Sequence, residues 1–146
     1  MKHEIMVGVG TVGSIVASFF GGWTASMSTL LLFMLFDYVT GLVVAGVFHK
    51  SKKTDTGTLE SRAGFKGLLK KGMVMVLVLV AYRLDLAMGT GGTYIRDAVC
   101  IAFVLNETIS IIENAGLMGV KIPAVLENAI DLLKKKKEEE VNSTLK

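Results

Sequence analysis

The chain has 146 residues, of which 51% are hydrophobic and 20% charged, with a formal net charge of +3. That length allows one domain, and the charge lies below the roughly 25% usual for a soluble domain. It is gathered in two blocks with long apolar runs between them, which makes a membrane protein the class indicated. A single cysteine, Cys100, excludes a disulfide within the chain, and with only His3 and His49, far apart, a metal site is not expected.

The first apolar run, Ile5 to Phe20, follows Lys2 and Glu4. It is longer than the apolar region of a signal peptide and more apolar segments follow, so retention is expected rather than cleavage. Met6 offers a second start that would omit Lys2. Small residues recur at helical spacing, with Gly10, Ser14 and Ser18 on one line and Gly13, Ala17 and Gly21 on the next. Such spacing lets membrane helices pack closely, so these six are candidates for a helix-packing face. Trp23 suits an interfacial position. The link to Met27 carries no Lys or Arg, as in a tight antiparallel hairpin.

Met27 to Phe48 holds one charge, Asp37, in twenty-two residues. About 20 apolar residues of helix cross a hydrocarbon core, and a charge at that depth costs a few kcal/mol, about 2.5–3.5 on insertion scales. Asp37 must be paired, protonated, or facing water in an assembly. His49 to Lys71 then carries seven Lys or Arg, with turn chemistry at Thr54, Asp55, Thr56 and Gly57. It reads as a cytoplasmic loop that also touches anionic headgroups, with Lys66, Lys70 and Lys71 as inner-interface anchors whose stems snorkel.

Gly72 to Tyr82 is uncharged and becomes long enough to span when flanking residues are added. Arg83 and Asp85 fall near its outer end on different helix faces. After the turn Gly89–Thr93, the fourth segment, Tyr94 to Ile112, has a charge-free run of only nine residues, Ala98 to Asn106. It needs its polar side against protein or water. Asn106, Ser110 and Glu113 share one face of it; Glu107, Ser110 and Asn114 share the next. From Ile122 the apolar positions recur with a helical period, Pro123 suits a first turn, and Lys134–Lys137 suit a helix C-terminus.

The expected architecture is an all-α integral membrane protein with spans at about 5–22, 27–48, 67–88 and 94–113, or three spans if the first segment does not cross. An amphipathic helix at 122–137 and a disordered tail at 138–146 follow. Four spans with both termini cytoplasmic place fourteen of the sixteen Lys and Arg inside. No nucleophile–base set, phosphate loop or metal motif appears, so neither an enzyme nor a nucleic-acid partner is expected. Candidate pore or assembly residues are Asp37, Tyr38, Thr40, Gly41, Asn106, Glu107, Ser110, Glu113 and Asn114.

Four pieces in order carry a resemblance. They are Phe36-Asp37-Tyr38-Val39-Thr40-Gly41; Gly64-Phe65-Lys66-Gly67-Leu68-Leu69-Lys70-Lys71; Leu84-Asp85; and Asn106 to Gly116, with Gly119 and Ile122-Pro123 behind it. Over about residues 30 to 133 the chain resembles the bacteriophage holins of the toxin-secretion and phage-lysis type. The family often has Ser-Ser in the second loop, where this chain is Thr-rich and acidic, so nothing is carried over there. The resemblance implies a homo-oligomer in the bacterial cytoplasmic membrane that opens lesions at a set time. Through them an endolysin reaches the wall or a large toxin leaves the cell. The alternatives are a small channel or transporter subunit, or a membrane anchor for a soluble enzyme.

Overall fold

A computed structural model describes residues 1–132 and 135, and among these it is all-helical, without strands. Four long helices follow one another: α1 (Lys2–Phe19), α2 (Ala25–Gly46), α3 (Ser61–Met88) and α4 (Tyr94–Leu117). A fifth helical stretch, α5, covers 124–132, after Pro123 accepts from the amides of Leu126 and Glu127. The expected amphipathic helix at 122–137 is therefore visible to residue 132. The rest of it, with Lys134, Lys136 and Lys137, and the expected tail lie outside the described residues.

The bundle consists of α2, α3 and α4, with the closest packing between α2 and α4. On α2 the buried positions are Met27, Leu30, Met34, Asp37, Val44 and Ala45, the first four at a three–four spacing that keeps one seam facing its partner. On α4, Arg96, Cys100 and Asn114 are buried, with Phe103, Glu107 and Ser110 half-buried between them at the same spacing. Met27, Leu30, Met34, Val78 and Cys100 form the apolar core. Asp37 thus occupies a core position of α2, in register with the hydrophobic residues before it.

The outside of the bundle is apolar. Leu32, Leu35, Phe36 and Val39 of α2, Leu68, Leu69, Met73 and Val80 of α3, and Ile101 of α4 are all exposed, while Asp37, Asp85, Arg96 and Asn114 are buried. Water disfavours that distribution and lipid favours it. Among the described residues only α2 is long and apolar enough to cross a membrane by itself. The expectation of four spans therefore meets three helices that fall short alone: α1 begins with charges, and α3 and α4 carry charges along their length.

No residue of α1 is buried, and added Cβ atoms at Gly10 and Gly13 would meet nothing within 4 Å. Ser14 and Ser18 donate to carbonyls of their own helix, Gly10 O and Ile15 O. Of the small-residue lines, Gly10, Gly13, Ser14 and Ser18 are thus exposed, whereas Gly21 reaches Tyr82 of α3. Gly21 lies past the end of α1, where its φ of +78° permits the turn and a Cβ would collide with the Tyr82 ring.

Candidate functional site

Two polar clusters are buried in the bundle. One, at the end of the bundle beside the α2–α3 loop and termed the inner cluster, centres on Lys71; the other, termed outer, lies at the opposite end beside the α1–α2 link. The Lys71 ammonium donates to Asp37 Oδ2 at 2.7 Å and to Glu107 Oε2 at 2.5 Å, so one cation of α3 joins a carboxylate of α2 to one of α4. The side chains of Lys71, Asp37 and Glu107 are 15%, 6% and 12% exposed. Asn114 closes the other side: its Nδ2 donates to Asp37 Oδ1 at 3.2 Å and to Thr40 Oγ1 at 2.9 Å. Ser110 adjoins the same carboxylate. No buried side-chain N or O among the described residues lacks a hydrogen-bond partner, which is the condition for a buried ionic group to be tolerated.

Local structure delivers these groups. Tyr38 lies across Gly64 and Gly67 of α3, whose Cβ atoms would stand 3.6 Å from its hydroxyl and 3.9 Å from its ring. The two glycines let α3 approach α2 there, and Lys71 follows one turn later on the same side. The loop between α2 and α3 folds back, with Gly57 N–H on Thr54 O and Ser51 N–H on Gly57 O. Gly57 has φ +74°, and a Cβ there would sit 2.5 Å from His49 O. This turn returns Lys53 to within 4.0 Å of Asp37 Oδ2, although Lys53 is 62% exposed.

Of the nine pore or assembly candidates, the structure gathers Asp37, Tyr38, Thr40, Gly41, Glu107, Ser110 and Asn114 at this seam. Asn106 and Glu113 lie on the exposed side of α4. Of the three lysines expected at the inner interface, Lys66 and Lys70 are exposed, whereas Lys71 is half-buried. It turns inward because two carboxylates at its own depth offer charge-assisted bonds that outweigh snorkelling to the surface.

Sequence reasoning missed the outer cluster. Asp85, 1% exposed, accepts from the amides of Ile95 at 3.0 Å and Arg96 at 2.9 Å, and from Thr90 Oγ1 at 3.1 Å. It caps α4 from the end of α3, supplying a negative charge where the helix dipole favours one. Arg96, also 1% exposed, donates through one guanidinium nitrogen to the carbonyls of Phe20, Gly21 and Gly22 at 2.6, 3.2 and 3.1 Å. Its other nitrogens donate to Asp97 Oδ1, and its guanidinium lies 5.9 Å from the Tyr82 ring centroid. The signal was an arginine at the head of an apolar helix, one tight turn after an aspartate.

The two clusters bound the buried apolar core between them. Arg96 and Glu107 are eleven residues apart on α4, about 17 Å of helix; Lys71 and Asp85 are fourteen apart on α3, about 21 Å. A hydrocarbon core is about 30 Å thick.

The chain matches the model of the bacteriophage holin family over residues 14–135. It is 38% identical over 135 residues to an uncharacterized 14.9 kDa protein of Clostridium perfringens, covering 92% of this chain and 96% of the relative. It is 37% identical over 130 residues to an uncharacterized protein of Listeria innocua, covering 89% and 86%. A protein of Bacillus phage phi105 named probable holin is 28% identical over 119 residues, 82% of each chain. No solved structure matches.

Proposed function

The chain belongs to the bacteriophage holin family, whose members are non-enzymatic membrane proteins, and we propose that it oligomerises in the bacterial cytoplasmic membrane and opens lesions there at a set time. An endolysin then reaches the wall, or a large toxin leaves the cell, without needing direct contact with the chain. In this reading α2, α3 and α4 cross the membrane with the basic loop and the C-terminus facing the cytoplasm; where α1 crosses as well the N-terminus also faces the cytoplasm, and where α1 lies against the membrane the N-terminus is on the other side.

The observation that carries the reading is the Lys71 bridge between Asp37 and Glu107, buried in a layer of helices whose outer face is apolar. In the scattered protein the three charges satisfy one another, so the bundle can reside in lipid. When copies meet, the same groups exchange partners across chains and line water, where a charged seam costs little. The change from internal pairing to a shared aqueous wall is the step from harmless accumulation to lesion.

Induced expression in a bacterium, followed with a potential-sensitive dye, tests this. Abrupt depolarisation after a lag is expected, with lysis only when a cytoplasmic peptidoglycan hydrolase is co-expressed. Cells that keep full potential would overturn the reading. Ion-selective conductance with no hydrolase release would replace it with the small-channel reading.

A further inference from the structure

Beside the inner cluster lies a cavity of about 370 Å³, open to the outside between α2, α3 and the loop that joins them. Four lysines line it, Lys53, Lys66, Lys70 and Lys71, together with Tyr38. Only two carboxylates, Asp37 and Glu107, share the lining. Lys71 is committed to both of them, and Lys53 stands 4.0 Å from Asp37. Lys66 and Lys70 are exposed, and no ion pair engages either among the described residues. The lining of the cavity therefore carries a surplus of positive charge.

We propose that this cavity binds the phosphate-bearing headgroup of an anionic phospholipid. Lys66 and Lys70 sit one helical turn apart on α3 and present two ammonium groups to one phosphate, with Lys53 reaching over from the loop. Lysine binds phosphate as a point charge and needs no fixed fork geometry. Basic pockets between membrane helices on the cytoplasmic side suit such headgroups. The neighbouring row of α3 argues for a lipid rather than free phosphate. Leu69, Met73 and Leu77, at successive turns, are 58%, 55% and 40% exposed and run from beside Lys70 toward the middle of α3. That row offers an acyl chain a track leading directly from the headgroup position. The headgroup sits against Tyr38 and next to Lys71, so lipid occupancy and the inner ionic bridge share one wall.

The test uses the full chain in phosphatidylcholine bilayers containing trace spin-labelled phosphatidylglycerol or spin-labelled phosphatidylcholine, reading the immobilised lipid fraction. It requires no lesion, so its outcome is separate from that of the lesion reading. The wild type is expected to prefer phosphatidylglycerol by roughly fivefold or more. K66Q/K70Q should lose that preference, and K66R/K70R should keep it. K50Q/K52Q removes the same charge from the adjoining α2–α3 loop, outside the cavity, and should also keep it. Helicity by circular dichroism identifies any variant that misfolds, in which case the single changes K66Q and K70Q carry the reading. No preference in the wild type, or equal losses in K66Q/K70Q and K50Q/K52Q, would overturn the proposal. So would displacement of the labelled lipid by inorganic phosphate where sodium chloride of equal ionic strength leaves it bound, which would mark a free-phosphate site.

Discussion

The two buried clusters of this bundle hold similar groups in opposite ways. At the outer end, Asp85 and Arg96 spend their bonds largely on main chain: two amides of α4 and three carbonyls after α1. At the inner end, the bonds of Lys71 run to side chains, Asp37 and Glu107, beside an open cavity. Main-chain partners are fixed by the fold and can be replaced only by unfolding it locally. Side-chain partners can be exchanged by rotamer changes for water, lipid or another copy of the chain. The outer cluster is thus a fastener and the inner one a joint.

The largest effect is expected where the joint loses its cation. K71M leaves two carboxylates facing each other in a buried space, which should destabilise the chain by roughly 3–5 kcal/mol, read as thermal unfolding in detergent micelles. Adding Asp37→Asn and Glu107→Gln should recover most of that loss. An unchanged midpoint in K71M would mean that Lys71 does not bridge the helices.

Next comes the fastener. R96A removes a buried charged donor from three carbonyls, and charge-assisted bonds contribute about 1.5–3 kcal/mol each. Amide exchange around residues 17–23 should accelerate by roughly tenfold or more while the centres of α2 and α4 stay protected. The inner variant D37L should leave that exchange unaltered. If it speeds exchange at residues 17–23 equally, the two clusters are not independent.

Smaller effects separate backbone from side-chain causes. G21A forces a non-glycine residue into a left-handed conformation, costing about 1–2 kcal/mol, and sets its Cβ against the Tyr82 ring. G22A has φ +90° but nothing within 4 Å of the added Cβ, so it should cost less than G21A by the Tyr82 contact alone. Equal losses would remove Tyr82 from the account. The smallest effect belongs to K53Q: this pair is 4.0 Å long and its lysine is 62% exposed, so less than about 1 kcal/mol is expected.

The same contrast explains what could be read from sequence. Asp37 was conspicuous because one charge in an apolar helix needs a partner, and the Glu107, Ser110, Asn114 spacing supplied a matching face on α4. Lys71 was not legible, because a lysine at the end of an apolar run can snorkel outward or turn inward. Only the depth of Asp37 and Glu107 decides, and depth is a tertiary quantity. α3 begins at Ser61 rather than near 67; Gly64 and Gly67 weaken a helix by propensity but here make room for Tyr38. The outer cluster escaped because Asp85 caps a helix ten residues further along the chain, a partnership that appears only once the turn at 89–93 is folded.

The most direct measurement is the onset time of depolarisation in cells expressing the chain, D37L or E107L, at membrane levels matched by immunoblot. If the joint governs the passage from scattered to assembled protein, at least one variant will insert normally yet depolarise at a time outside the spread of replicate wild-type cultures. Wild-type timing in both variants would contradict that role.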